Sequence, residues 1–271
     1  MHSGATSTAG IITGAETVDL QGEGSHGVLL LHGFGDTPQT LGLLARDLHA
    51  AGFGVRAPLL PGHGRTVESF ITSRRTHWLG FANAELLAMQ ERYAAVSVAG
   101  LSMGGALAAI LAARHHDISA LVLLAPYVDM PLDHRVAAAS HWIWGKAAGA
   151  RSSRSPRSIL DPSEREKNLG YGVYSGRLLY ELWKVAAQAR VSLAAITVPT
   201  LLIQSRNDPR VAPGVAARAY SALGSVKKRL VWTDDGGHII TVDYGRERVF
   251  NEVRGWLTAS AAPRTTTATA V

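Results

Sequence analysis

The sequence predicts an α/β chain: a mostly parallel central sheet with helices on both faces and an inserted helical cap. Three observations carry this. Short, mostly apolar runs recur at Val28–Leu31, Val96–Ala99, Ala120–Ala125 and Val198–Gln204, the first of them continuous, as expected of strands buried on both faces. Helix-period stretches with short connections separate them, the alternation of βαβ units. The rhythm breaks once, from Pro126 to about Ala195, a stretch too long to be a structureless loop in a compact domain.

Each element follows from local signals. Residues 1–14 are small, polar and glycine-bearing, a flexible N-terminus. Glu16–Leu20 reads as an edge strand, and Val28–Leu31 as a buried one that ends in His32-Gly33-Phe34-Gly35-Asp36. A helix fits Pro38–Ala50, with Leu41, Leu44, Ala45 and Leu48 on one stripe and Gly52 just beyond. Val55–Ala57 is a short strand running into Pro58–Gly64, and Trp78–Arg92 a second helix. The Val96 strand leads to Gly100-Leu101-Ser102-Met103-Gly104 and an alanine- and leucine-rich helix. In the insertion, Leu178, Leu179, Leu182, Trp183, Ala186 and Ala187 form the apolar face of a helix. The α/β pattern resumes with a strand over Val198–Gln204, a helix over Pro213–Leu223, a strand over Arg229–Trp232 and a last helix from Gly245 to about Ala259. The organisation expected is therefore a core of residues 15–125 and 196–260, a cap over 126–195, and a disordered tail over 261–271.

Composition narrows the function classes. The 271 residues, 46% hydrophobic, suit one large α/β domain carrying an insertion, or two small ones. No apolar run reaches the ~18 residues of a membrane span, and the N-terminus has no signal-peptide pattern, so a cytoplasmic protein is expected. With no cysteine, disulfides and thiolate chemistry are excluded. The net charge of +6 is spread along the chain, with one cluster at Arg151, Arg154 and Arg157. This reads as a solvated loop, the alternative being an anion-attracting patch near the site. No nucleic-acid-binding signature, phosphate loop or dinucleotide fingerprint occurs. His115-His116-Asp117 is too tight for one metal geometry, and no metal or cofactor is expected.

The chemistry centres on Ser102. Gly-x-Ser-x-Gly alone is a weak signal in a chain with 28 glycines; between a β-branched strand and a helix-forming run it predicts a nucleophile elbow. A serine hydroxyl needs a base within hydrogen-bond reach and an acid to orient that base. Asp208 follows one strand and His238 the next, in the order nucleophile, acid, histidine. Asp234 and Asp235 are rival acids on the histidine's own loop, where shaping the turn is the simpler role. His32 and His63 are rival bases in glycine-rich loops before the elbow. Two backbone N–H groups are placed as oxyanion donors, Met103 at the start of the elbow helix and Phe34 after the Val28 strand.

The motifs Leu29-Leu30-Leu31-His32-Gly33-Phe34, Leu60-Pro61-Gly62-His63-Gly64, Gly100-Leu101-Ser102-Met103-Gly104-Gly105, Val198-Pro199-Thr200 with Ser205-x-x-Asp208, and Gly237-His238 resemble the bacterial carboxylesterase and monoacylglycerol lipase family of serine α/β-hydrolases. The resemblance runs from about Ile12 to Leu257. It implies the α/β-hydrolase fold, a cofactor-free serine hydrolase with an acyl-enzyme intermediate, and the triad Ser102, Asp208 and His238 with Phe34 and Met103 as oxyanion donors. Pro209-Arg210-Val211 departs from the more apolar run common in the family. Monoglyceride specialists resemble one another in a cap acid that holds glycerol hydroxyls, for which Glu164, Glu166 and Glu181 are the candidates here. The expected function is a carboxylesterase for short- to medium-chain acyl esters. The alternatives are a monoacylglycerol lipase and, from another class, a non-catalytic ligand-binding member of the fold. The partner expected is a small acyl ester, with no nucleic acid and no stable membrane insertion.

Overall fold

Strands run parallel where a helix carries the chain back between them, and the chain here repeats that step. The structure, a computed structural model, describes residues 10–143, 151–152 and 158–261. Its strands are β1 (Val18–Leu20), β2 (His26–Leu31), β3 (Gly54–Ala57), β4 (Ala95–Leu101), β5 (Leu121–Leu124), β6 (Arg151–Ser152), β7 (Val173–Tyr174), β8 (Thr200–Ser205) and β9 (Lys228–Thr233). The helices are α1 (Gly42–Ala50), α2 (Val67–Thr72), α3 (Arg75–Arg92), α4 (Met103–Ala112), α5 (Leu132–Ala139), α6 (Pro162–Lys167), α7 (Gly176–Ser192), α8 (Pro213–Ala222) and α9 (Arg246–Ala261). Seven strands form one sheet in the order β1-β3-β2-β4-β5-β8-β9. All neighbours are parallel except the edge pair β1 and β3.

From β2 the chain first crosses to β3 on one side and then to β4 on the other. The order therefore reverses between β2 and β4, the place where parallel sheets open a crevice at their carboxyl ends. Leu31 pairs with Gly100 there, so the loops after β2 and β4 leave the sheet side by side.

Alternation along the strands divides the core into two layers. Leu29, Leu31, Leu121, Leu123 and Leu202 face a cluster with α3, α4, α7 and α8. Val28, Leu30, Val122, Leu124, Leu201 and Ile203 face the opposite cluster with α1 and α9. At about 1.5–3 kcal/mol per large apolar side chain buried, these layers dominate stability. Helix α4 is buried on every side because it lies between the sheet and α7. Its Ala106, Ala108, Ala109 and Ala112 allow that close approach.

The sequence-based boundaries shift in places. Pro38–Leu41 is a 3-10 turn leading into α1, and α3 begins at Arg75 rather than Trp78. Helix α2 was not expected; its Thr66 cap accepts the Ser69 N–H at 3.1 Å. In the insertion, the antiparallel pair β6 and β7 is an addition. Helix α7 buries Leu178, Leu182, Val185, Ala186 and Ala189 against α4, while Leu179, Trp183 and Ala187 are only partly covered. The apolar face is thus rotated toward Val185 and Ala189. Arg154, Arg157, residues 1–9 and residues 262–271 lie outside the described residues. Among the described residues no helix is long and apolar enough to cross a membrane.

Candidate active site

Ser102 sits between β4 and α4 with φ 55 and ψ −116. A non-glycine residue in that region carries roughly 1–3 kcal/mol of strain and persists only where its surroundings hold it. Here the Ser102 N–H donates to Leu124 O at 2.9 Å, and Ser102 O accepts from Ala106 N at 3.1 Å and Tyr127 N at 3.0 Å. The turn closes only around glycines. A Cβ on Gly100 would stand 2.2 Å from Gly104 O, and one on Gly104 would stand 2.0 Å from Leu31 O.

Two loops bring partners to this hydroxyl. Ser102 Oγ lies 2.9 Å from His238 Nε2, and His238 Nδ1 lies 2.8 Å from Asp208 Oδ2. Asp208 Oδ2 also accepts from Gln204 Nε2 at 2.8 Å, and its Oδ1 from the N–H groups of Arg210 at 2.7 Å and Val211 at 2.9 Å. Burial alone would raise the Asp208 pKa; His238 and the N–H donors outweigh it and hold the carboxyl below its ordinary value. The three residues expected from chain order thus meet in one hydrogen-bonded line.

Their rivals lie elsewhere. Asp234 pairs with Arg206 at 3.2 Å, and the Asp235 side chain packs against Gly245; both belong to the turn. The Leu60 N–H donates to His32 Nε2 at 3.1 Å, so His32 Nδ1–H donates to Gly33 O at 2.9 Å. Burial and the neighbouring His63 hold the His32 pKa well below its ordinary value. Burial lowers that of His63 to about 4. Both are neutral rings packed behind the loop, their centroids 5.0 Å apart.

That packing places the loop after β2 beside the serine. A Cβ on Gly33 would be 3.4 Å from Ser102 Cβ, which sets the Phe34 backbone next to the elbow. The Phe34 ring is held against Phe70 at 5.0 Å and Trp78 at 6.1 Å between centroids. Met103 N opens α4, where the helix dipole is positive. The metal candidate disperses instead: His115 bonds Asn83 at 2.7 Å, His116 lies 3.5 Å from Thr197, and Asp117 accepts from Gln90 at 2.9 Å.

Sequence reasoning missed two acids. Buried Asp243 accepts four backbone N–H groups, from Leu160 and Gly237 at 2.7 Å, Asp161 at 2.8 Å and Tyr244 at 2.9 Å. Ser158 O adds to the same junction by accepting the N–H groups of His238 and Ile239, both at 2.9 Å. Asp36, in the loop after β2, has its pKa raised to about 6, burial outweighing His238, Asn168 and Arg210. An acid five residues past the histidine was the only local signal for Asp243.

Comparison with known proteins finds relatives along most of the chain. The profile of the family described as serine aminopeptidase, S33 (Hydrolase_4) matches residues 23–244. A thermostable monoacylglycerol lipase of Bacillus sp. (strain H-257) is 31% identical over 241 residues, covering 88% of this chain and 92% of the relative. A carboxylesterase of Bacillus subtilis (strain 168) is 25% identical over 235 residues, covering 86% and 93%. Among solved structures, a metagenome-derived lipolytic enzyme superposes with a TM-score of 0.84 at 27% identity, over 92% of this chain and 99% of that one. With its elbow, its strand order and this match along most of its length, the chain belongs to the serine aminopeptidase S33 (Hydrolase_4) family of α/β-hydrolases.

Proposed function

We propose that the protein hydrolyses carboxylic esters of short to medium acyl chains through an acyl-enzyme. The observation that carries this is the line Ser102 Oγ, His238 Nε2, His238 Nδ1, Asp208 Oδ2, with contacts of 2.9 and 2.8 Å, hung on a strained turn. In this reading His238 takes the Ser102 proton as Oγ attacks the ester carbonyl. The N–H groups of Met103 and Phe34 receive the oxyanion. The imidazolium then protonates the departing alkoxide, and water, activated by the same ring, releases the acid. Asp208 keeps Nδ1 protonated and stabilises the imidazolium.

Residues 126–195 are read as a cap over this site, with α7 its root in the core. The 31% identical monoacylglycerol lipase supports a second reading of the same site, in which the ester is a monoglyceride. Placement in the cytoplasm belongs to the proposal as well.

The test is hydrolysis of p-nitrophenyl esters from acetate to palmitate by wild type and Ser102→Ala. A fall of about 10⁴-fold or more in kcat is expected, as for loss of any triad nucleophile. Turnover unaltered in a folded Ser102→Ala would overturn the assignment. A serine-directed phosphonate separates it from a ligand-binding role, since only the enzyme is labelled.

A further inference from the structure

The hydrogen bonds of Asp208 use its whole carboxylate. Oδ1 takes the N–H groups of Arg210 and Val211 at 2.7 and 2.9 Å, while Oδ2 takes His238 Nδ1–H and Gln204 Nε2–H, each at 2.8 Å. An ionised carboxylate offers about four acceptor positions, so these donors fill it. Two of them are backbone and one is the base itself. Gln204 supplies the fourth from a side chain that takes no part in the reaction above.

Its placement follows from the fold. Gln204 lies on β8 opposite Trp232 of β9, and the loop after β8 folds back so that Asp208 and Val211 return to it. Three acceptors surround its amide nitrogen: Asp208 Oδ2 at 2.8 Å, and the carbonyls of Ser205 and Val211, both at 3.2 Å. An amide oxygen at that spot would face only oxygens, which fixes the amide one way round. The side chain is fully buried, and its Oε1 meets no donor among the described residues. A buried unpaired oxygen weighs against stability. What the glutamine adds is a donor shared between the acid and two carbonyls of the acid's own loop.

We propose that Gln204 is a positioning residue of the triad, whose Nε2–H holds Asp208 Oδ2 on His238 Nδ1 and takes up part of that oxygen's negative charge. This rests on the ester-hydrolase reading above. With the donor present, the carboxylate attracts the imidazolium less strongly, and His238 becomes a free base at lower pH. With the donor removed, His238 alone binds Oδ2, the imidazolium is stabilised, and the free base appears at higher pH. The other charged groups about the pair are Asp36, whose carboxyl senses His238, and Asp129, Arg135, Arg210 and Arg218, which line one cavity with Asp208. They are common to wild type and variants, so their titration cancels in a ratio of the two.

The experiment measures kcat/KM on one p-nitrophenyl ester from about pH 6 to about pH 8 for wild type, Gln204→Met, Gln204→Glu and Ser102→Ala. Methionine matches the length and lacks the donor. Gln204→Met should lower kcat/KM about tenfold near about pH 6 and by less near about pH 8, so its ratio to wild type climbs with pH. A buried glutamic acid beside Asp208 stays neutral above its ordinary pKa, and its O–H replaces the amide donor. Gln204→Glu should therefore stay within about threefold of wild type near about pH 6, then fall about tenfold or more by about pH 8 as the second carboxyl ionises against Asp208. Opposite slopes distinguish this role from a loosened loop, which lowers turnover evenly across pH. A ratio that is flat, or that runs the other way, in either folded variant would overturn the role of Gln204 and leave the esterase intact. If one variant alone folds, its slope decides. Absence of serine-dependent hydrolysis by wild type would instead remove the ester-hydrolase reading, and this role with it.

Discussion

One carboxylate oxygen of Asp243 receives the Gly237 N–H at 2.7 Å, one residue before the imidazole that meets Ser102. The same oxygen receives the Leu160 N–H at 2.7 Å, from the middle of the insertion. Replacing Asp243 by Ala strands four N–H groups, of which that of Gly237 is buried and costs about 1–3 kcal/mol when left unpaired. Asp243→Ala should lower Tm and reduce kcat on a p-nitrophenyl ester by about tenfold or more, through loss of the His238 loop position. Asp243→Asn, with one acceptor oxygen left, should fall between. Melting curves and turnover on the purified variants check this; wild-type values for Asp243→Ala would exclude it.

Glycine-to-alanine changes should split by position. At Gly104 every close neighbour of an added Cβ is backbone, at 2.0 Å from Leu31 O, 2.5 Å from Leu31 C and 2.6 Å from His32 O. Gly104→Ala should cost about 3 kcal/mol or more, since β2 and α4 must separate. At Gly80, inside α3, an added Cβ meets nothing within 4 Å. Gly80→Ala should gain about 0.5–1 kcal/mol from helix propensity. Thermal denaturation of the pair reads both signs.

Acid should weaken the fold through the neutral ring of His63. Its folded pKa of about 4 lies below the ordinary value of 6.5, so above pH 6.5 neither folded nor unfolded ring is charged. As pH falls from about 6.5 to about 4, the unfolded chain takes a proton the folded ring refuses, removing up to about 3 kcal/mol. His32 acts in the same direction. Urea unfolding at a series of pH values should give a shallower acid slope for His63→Gln than for wild type. Equal slopes would rule His63 out as the source.

What the sequence made legible is what is local or ordered along the chain. The elbow announces itself because Gly100 and Gly104 flank Ser102 at fixed spacing, and Asp208 and His238 because each closes a strand loop. Helix α2, and the two-residue strands β6 and β7, are too short for periodicity to mark. The α7 stripe was misplaced by one side because the face a helix buries is set by its neighbours, and Val185 and Ala189 join the cluster that holds the α4 alanines, distant in sequence. Asp36 and Asp243 stayed silent because their partners, Asn168 and Gly170 for one, Leu160 and Asp161 for the other, are distant in sequence.

The bonds at Ser158 carry a thermodynamic corollary. Ser158 O holds the amides of His238 and Ile239, while Asp243 holds those of Leu160, Asp161 and Gly237. Amides that share acceptors in this way are expected to open together in hydrogen exchange. His238 is therefore moored to the middle of the insertion. Displacing residues 158–161 removes the acceptor of the His238 and Ile239 amides, so this junction helps hold the imidazole that meets Ser102.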